Sequence, residues 1–154
     1  MLKYLILSFG MAGNLAFSAT AEDLAIIVAK SSALSDVTSA ELTKIFKCEK
    51  TKGPDGAKLA VVVQSGGSEH ESALAVIYKT DDAGYKKYFL QATFTGALSA
   101  APKALSSGDA VKSFVTTTPG GIGYTKASVI DDTVKALKVD GKAPGEAGYP
   151  IQLK

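Results

Sequence analysis

One short stretch constrains this chain more than any other: Val61-Val62-Val63-Gln64-Ser65-Gly66-Gly67-Ser68-Glu69-His70-Glu71. The apolar run reads as a strand covered on both faces. The Ser-Gly-Gly turn ends it, and Ser68 with Glu71 has the spacing of a capping box that opens a helix. Strand, tight loop and helix N-terminus together aim backbone N–H groups at one point, which is a natural seat for a small anion. Ser65, Gly66, Gly67 and Ser68 would supply N–H and O–H donors, and Gln64 an uncharged amide. His70 or a lysine would assist, with Glu69 between them on the loop. A second reading needs no ligand. Ser68 and Glu71 cap the helix, the glycines make the turn, and the Glu71 carboxylate fills the niche an anion would use. Such a box stabilises by about 0.5–2 kcal/mol unaided.

Charge narrows what the seat can be. All 17 basic residues are lysine, and against 15 acidic residues they leave a net charge of +2. No basic stripe stands out, so nucleic acid is not an expected partner. Bidentate recognition of phosphate or carboxylate usually relies on guanidinium, which this chain lacks. Backbone N–H groups, hydroxyls, amides or lysines must hold any anion.

Enzymatic chemistry finds little support. His70 is the single histidine and stands two residues from Ser68, with no nucleophile-elbow motif. We therefore expect a capped, solvated histidine and no catalytic residue. No His/Cys/Asp spacing suggests a metal. The glycines from Gly120 to Gly123 lack the dinucleotide fingerprint, so no cofactor is expected. Cys48 is the only cysteine and cannot form an internal disulfide. It reads as a half-buried helix-end residue.

The N-terminus looks like an address. Met1-Leu2-Lys3 carries one positive charge, an apolar stretch covers 4–17, and Ala19-Thr20-Ala21 has the small-x-small form of a cleavage site. The expectation is a signal peptide over 1–21, cleaved before Glu22. A mature domain over 22–154 would then be periplasmic or secreted, with no stable membrane insertion. The rival is an N-terminal anchor, but Gly10, Gly13 and Asn14 interrupt an apolar run that is short for a span.

Along the mature chain, 24–29 reads as a buried strand and 30–36 as a Ser-rich loop. Thr38 and Glu41 form a capping box, followed by Leu42, Ile45 and Phe46 on one helical face. Gly53-Pro54-Asp55-Gly56 is a turn. After the strand over 59–63, a helix should run from Ser68 to about 79, with Ala73, Leu74, Val76 and Ile77 inward. Asp81 and Asp82 suit the start of a third helix ending near 91, with Tyr85, Tyr88 and Phe89 in the core. Residues 94–107 read as loop and 108–117 as a fourth helix. Short strands over 122–124 and 134–139 precede an irregular tail. Alternating strands and helices predict an α/β sheet with helices on both faces.

Several of these motifs match a known order. They are Ser35 to Phe46, with its Thr-x-x-Glu-Leu-x-x-Ile-Phe pattern; the Pro54-Asp55-Gly56 turn; the Val61 to Ser68 strand and Gly-Ser loop; Phe94-Thr95-Gly96; Pro119-Gly120-Gly121-Ile122-Gly123-Tyr124; and Val139-Asp140-Gly141 with Tyr149-Pro150-Ile151. In this order they resemble the phosphate-type ABC transporter substrate-binding proteins, in particular the short, single-lobe members. The resemblance implies a periplasmic-binding-protein type II fold: one lobe, with a mixed, mostly parallel sheet. It implies a non-enzymatic protein that binds a small oxyanion such as phosphate and works with an ABC permease. The second wall of the cleft would come from a homodimer or another protein. The alternative is a lobe of the same descent turned into an interaction or assembly module of the cell envelope, without tight phosphate binding.

Departures fall on the seat itself. The family's Arg before the Gly-Ser loop is Gln64, and its Gly and Thr after the Ser are Glu69 and His70. Where short members carry another Arg stands Glu71. Ser31 and Ser32 follow the first strand. If the strands are parallel they reach the same carboxyl edge of the sheet, where ligands of open α/β sheets gather, and they complete the candidate set.

Overall fold

The structure is a computed structural model that describes residues 22–153. The expected signal peptide over 1–21 lies outside the described residues. Strands β1 (Leu24–Ala29), β2 (Asp36–Val37), β3 (Ala60–Gln64), β4 (Lys103–Leu105), β5 (Gly121–Lys126), β6 (Val134–Ala136) and β7 (Lys138–Val139) are joined by four α-helices. The helices are α1 (Ser39–Phe46), α2 (Gly67–Ala73), α3 (Asp82–Phe94) and α4 (Gly108–Thr117). The main sheet has five strands in the order β4-β3-β5-β1-β6, and β2 with β7 forms a small parallel pair.

Alternation along β1 explains the layering. Leu24, Ile26 and Val28 join a core with Val63, Ile122 and Tyr124 under α1, α2 and α3. Ala25 and Ile27 turn the other way, onto Val62, Val111 and Val115 beneath α4. Helices therefore cover both faces, as the apolar strands require. Gly123 lets α4 come close, since a Cβ there would stand 2.5 Å from Val111 Cγ1 and 2.7 Å from Val62 Cγ1.

Strand direction is mixed. β3 pairs in parallel with β4 and β5. β1 runs antiparallel to both β5 and β6. Four strands thus point one way and β1 alone points back. This one reversal decides where the functional candidates fall.

Local signals were honoured unevenly. The Thr38–Glu41 box forms, with Glu41 N–H donating to Thr38 Oγ1 at 3.1 Å and Thr38 N–H to the Glu41 carboxylate at 3.3 Å. Asp81 caps α3 by accepting from Gly84 N–H at 2.7 Å. The expected strand over 134–139 is broken at Leu137, which is fully buried and hands the chain from the main sheet to the β2–β7 pair. A strand, β4, lies inside the expected loop over 94–107. The second helix continues past α2 as a π-helical turn, Leu74–Tyr78, and Lys79 ends it in the left-handed conformation at φ 54°. No helix among the described residues is long and apolar enough to cross a membrane.

Candidate functional site: a groove between two helix N-termini

β3 and β4 are neighbours and parallel, with Gln64 opposite Leu105, so both deliver their chains to one edge of the sheet. There each strand turns through a Ser/Gly loop into a helix: Ser65-Gly66 leads into α2, and Ser106-Ser107 into α4. The loops are tied by Ser65 N–H donating to Leu105 C=O at 2.8 Å. Between them lies an open groove of about 520 Å³, flanked by Lys126 from the end of β5. Sequence reasoning found the α2 half and missed Ser106, Ser107, Gly108, Asp109 and Lys126. The signal was present, because Leu105-Ser106-Ser107-Gly108 repeats the strand, Ser/Gly loop and helix order. β4 is only three residues long and mostly exposed, which hid it.

On the α2 side the backbone is open. Gly66 is extended, with no side-chain cap, and a Cβ there would meet nothing within 4 Å. Gly67 has φ +86°, a conformation that glycine adopts without strain. The expected Ser68–Glu71 capping box does not form. α2 already starts at Gly67, so Ser68 sits inside the first turn instead of ahead of it. Both residues are exposed, and among the described residues the Ser65 and Ser68 hydroxyls have no protein partner.

The electrostatics are divided. Each helix N-terminus offers at most about half a positive charge. Lys126 adds one cation, whereas Glu69 and Asp109 bring two carboxylates to the same groove. Side chains and dipoles therefore nearly cancel, and no strong field favours a multiply charged anion. Glu69 is half-buried, and its carboxylate faces both Gly67 and Gly108. Beside it the buried Thr125 hydroxyl has no hydrogen-bond partner and rests against the Gly108 α-carbon.

Four sequence candidates are placed otherwise than expected. Gln64 is 2% exposed, and its amide Nε2 donates to Tyr124 C=O at 3.3 Å. His70 is not solvated: it is 7% exposed, with Nδ1 2.7 Å from Tyr124 Oη and Tyr85 edge-on at 5.7 Å. Burial pulls its pKa below the usual 6.5, so it offers an anion no cation at neutral pH. Ser31 and Ser32 lie at the opposite edge of the sheet, because β1 runs against β3. There they line a separate hollow of about 210 Å³ with Asp55 and Gly120. The Ser32 hydroxyl accepts from Leu34 N–H at 3.2 Å, and its carbonyl accepts from Lys135 Nζ at 2.6 Å.

The fold defines a class: one lobe of the periplasmic-binding-protein type II kind, with the β3–α2 and β4–α4 loops at one edge of its sheet. No family model matches the chain. In sequence it is similar to the phosphate-binding protein PstS of Bacillus subtilis, 29% identical over 134 residues, which cover 83% of this chain and 41% of that one. PstS from Borrelia burgdorferi shares the fold at TM-score 0.66 and 21% identity, over 88% of this chain and 57% of that one. An ABC-type phosphate transport receptor from Vibrio cholerae does so at 0.64 and 19%, over 83% and 50%. The chain thus resembles phosphate-type substrate-binding proteins and spans about half the length of the relatives it matches.

Proposed function

We propose that the protein is an exported, non-enzymatic solute-binding protein that holds a small oxyanion of the phosphate type in the groove between α2 and α4 and serves an ABC permease. In this reading residues 1–21 are a signal peptide, and 22–154 form the binding lobe. The carrying observation is the pair of adjacent parallel strands, each ending in a Ser/Gly loop and a helix N-terminus, on one groove with Lys126. The Gly66–Gly67 backbone and the Ser65 and Ser68 hydroxyls are the contacts; Gln64 shapes the loop through Tyr124. Lacking arginine and carrying Glu69, the groove binds far more weakly than a guanidinium-lined cleft would.

Titration calorimetry of extensively dialysed protein with inorganic phosphate tests this reading. Heat and a thermal shift should appear by millimolar phosphate and grow in Glu69→Gln, which removes the opposing charge. Silence in both proteins would sink the proposal.

A second reading, an interaction or assembly module, draws on a different surface. Leu90 and Phe94 on α3 are 74% and 91% exposed, beside an apolar hollow lined by Tyr85 and Phe89. Concentration-dependent association that disappears in Phe94→Ser would favour it. A strict monomer that binds phosphate would count against it.

A further inference from the structure

The ladder between β3 and β5 stops early. Ala60 pairs with Gly121 and Val61 with Ile122, after which the strands part. Gln64 N–H donates instead to the Tyr124 side chain, at 3.1 Å from Oη. Gln64 Nε2 in turn donates to the Tyr124 carbonyl. Tyr124 is fully buried, and its hydroxyl replaces the missing ladder at the point where the β3–α2 loop begins.

That hydroxyl has a single proton. Since Oη accepts from Gln64 N–H, its own proton is free for His70 Nδ1, 2.7 Å away. Nδ1 is the only acceptor for that proton among the described residues, so satisfying it assigns His70 as the neutral tautomer with its proton on Nε2. The contact joins β5, the end of β3 and α2 through one oxygen.

We propose that Gln64, Tyr124 and His70 form a proton-sensitive latch that pins the loop over 64–70 at neutral pH and releases it in acid. The inference concerns the order of the loop and stands whether or not the groove holds an anion. Protonation at Nδ1 would turn an acceptor into a donor. Two N–H groups would then converge on Oη, and the Tyr124 proton would lose its partner in a buried site.

The surrounding charges are mixed. Glu71 on the same helix and Asp82 on α3 favour the imidazolium, Lys86 on α3 opposes it, and Tyr85 presents only a neutral ring edge. Glu69 is the charge felt by Tyr124 from the groove side. Burial outweighs these and holds His70 below its ordinary pKa of 6.5. The sign follows. Above about 6.5 neither the folded nor the unfolded chain protonates His70, and the latch contributes in full. As pH falls from there through the lowered folded value, the unfolded chain takes up the proton first and the contribution is lost. Burial also raises the Tyr124 hydroxyl above its usual range, so it stays a donor throughout.

The test is NMR on the whole mature protein, from about pH 7.5 down to about pH 5. The His70 ring should titrate below 6.5, and protection factors of the amides over 64–70 should fall along the same curve while those of β1 hold. His70→Gln keeps an acceptor for Tyr124 and should flatten that pH dependence. Tyr124→Phe should lower protection of Gln64 N–H roughly five- to tenfold at neutral pH, the effect of one lost hydrogen bond. A His70 ring that titrates at or above 6.5, or loop protection indifferent to its titration, overturns the latch. Because these two readings use the wild-type chain, they decide the matter even if a variant fails to fold.

Discussion

The joints at the ends of β3 and β4 lie side by side, face one groove and are finished in opposite ways. At α4 the Ser107 hydroxyl accepts from Ala110 N–H at 3.2 Å, and Gly108 is buried against Thr125. That helix start satisfies itself and is packed shut. At α2 no side chain caps the helix, Gly66 and Gly67 stand in open space, and the neighbouring hydroxyls are unclaimed. The chain thus carries one closed and one open helix start on the same groove, and only the open one has donors to spare.

Substitutions can break this contrast, beginning with the closed joint. Gly108→Ala places a Cβ 2.2 Å from Thr125 Oγ1 and should cost the most, about 1–3 kcal/mol in urea unfolding. Gly67→Ala meets no atom closer than 4.0 Å but must hold φ +86°, which should cost about 1–2 kcal/mol from backbone strain alone. Equal costs at Gly66 and Gly67 would show that the loop adopts another conformation, since extended Gly66 should accept Ala freely. Ser107→Ala removes the cap of α4, and thermal melts should register about 1 kcal/mol. Ser68→Ala and Glu71→Ala should each stay within about 0.5 kcal/mol, as for exposed residues without partners. A loss above about 1 kcal/mol at either would restore the capping box that the structure lacks.

What could be read in advance follows the range of the interactions. The Thr38–Glu41 box and the apolar faces of α1 and α4 depend on residues three or four apart, and the chain spells them out. Ser68 and Glu71 have identical spacing, yet α2 starts at Gly67, two residues before a Ser68 cap would start it, and leaves the pattern idle. No local pattern reports strand direction, so the antiparallel course of β1 carried Ser31 and Ser32 to the wrong edge. His70 looked solvated because its partner, Tyr124, is 54 residues away. The α4 half of the groove stayed hidden because a three-residue strand has too few residues to show a period.

The reversed course of β1 has a practical side. Leu24 pairs with Lys126 at the rim of the groove, and Asp23 bridges Gln152, so both ends of the described chain emerge together there. Leu153 N–H donates to Glu22 C=O at 2.9 Å and closes the gap between them. A dye or tether attached at Glu22 or Leu153 would therefore sit near Lys126 at the rim of the groove and report on it. Joining Glu22 to Leu153 by a short linker and reopening the chain at the exposed turn around Gly56 would place the new ends on the far side of the sheet.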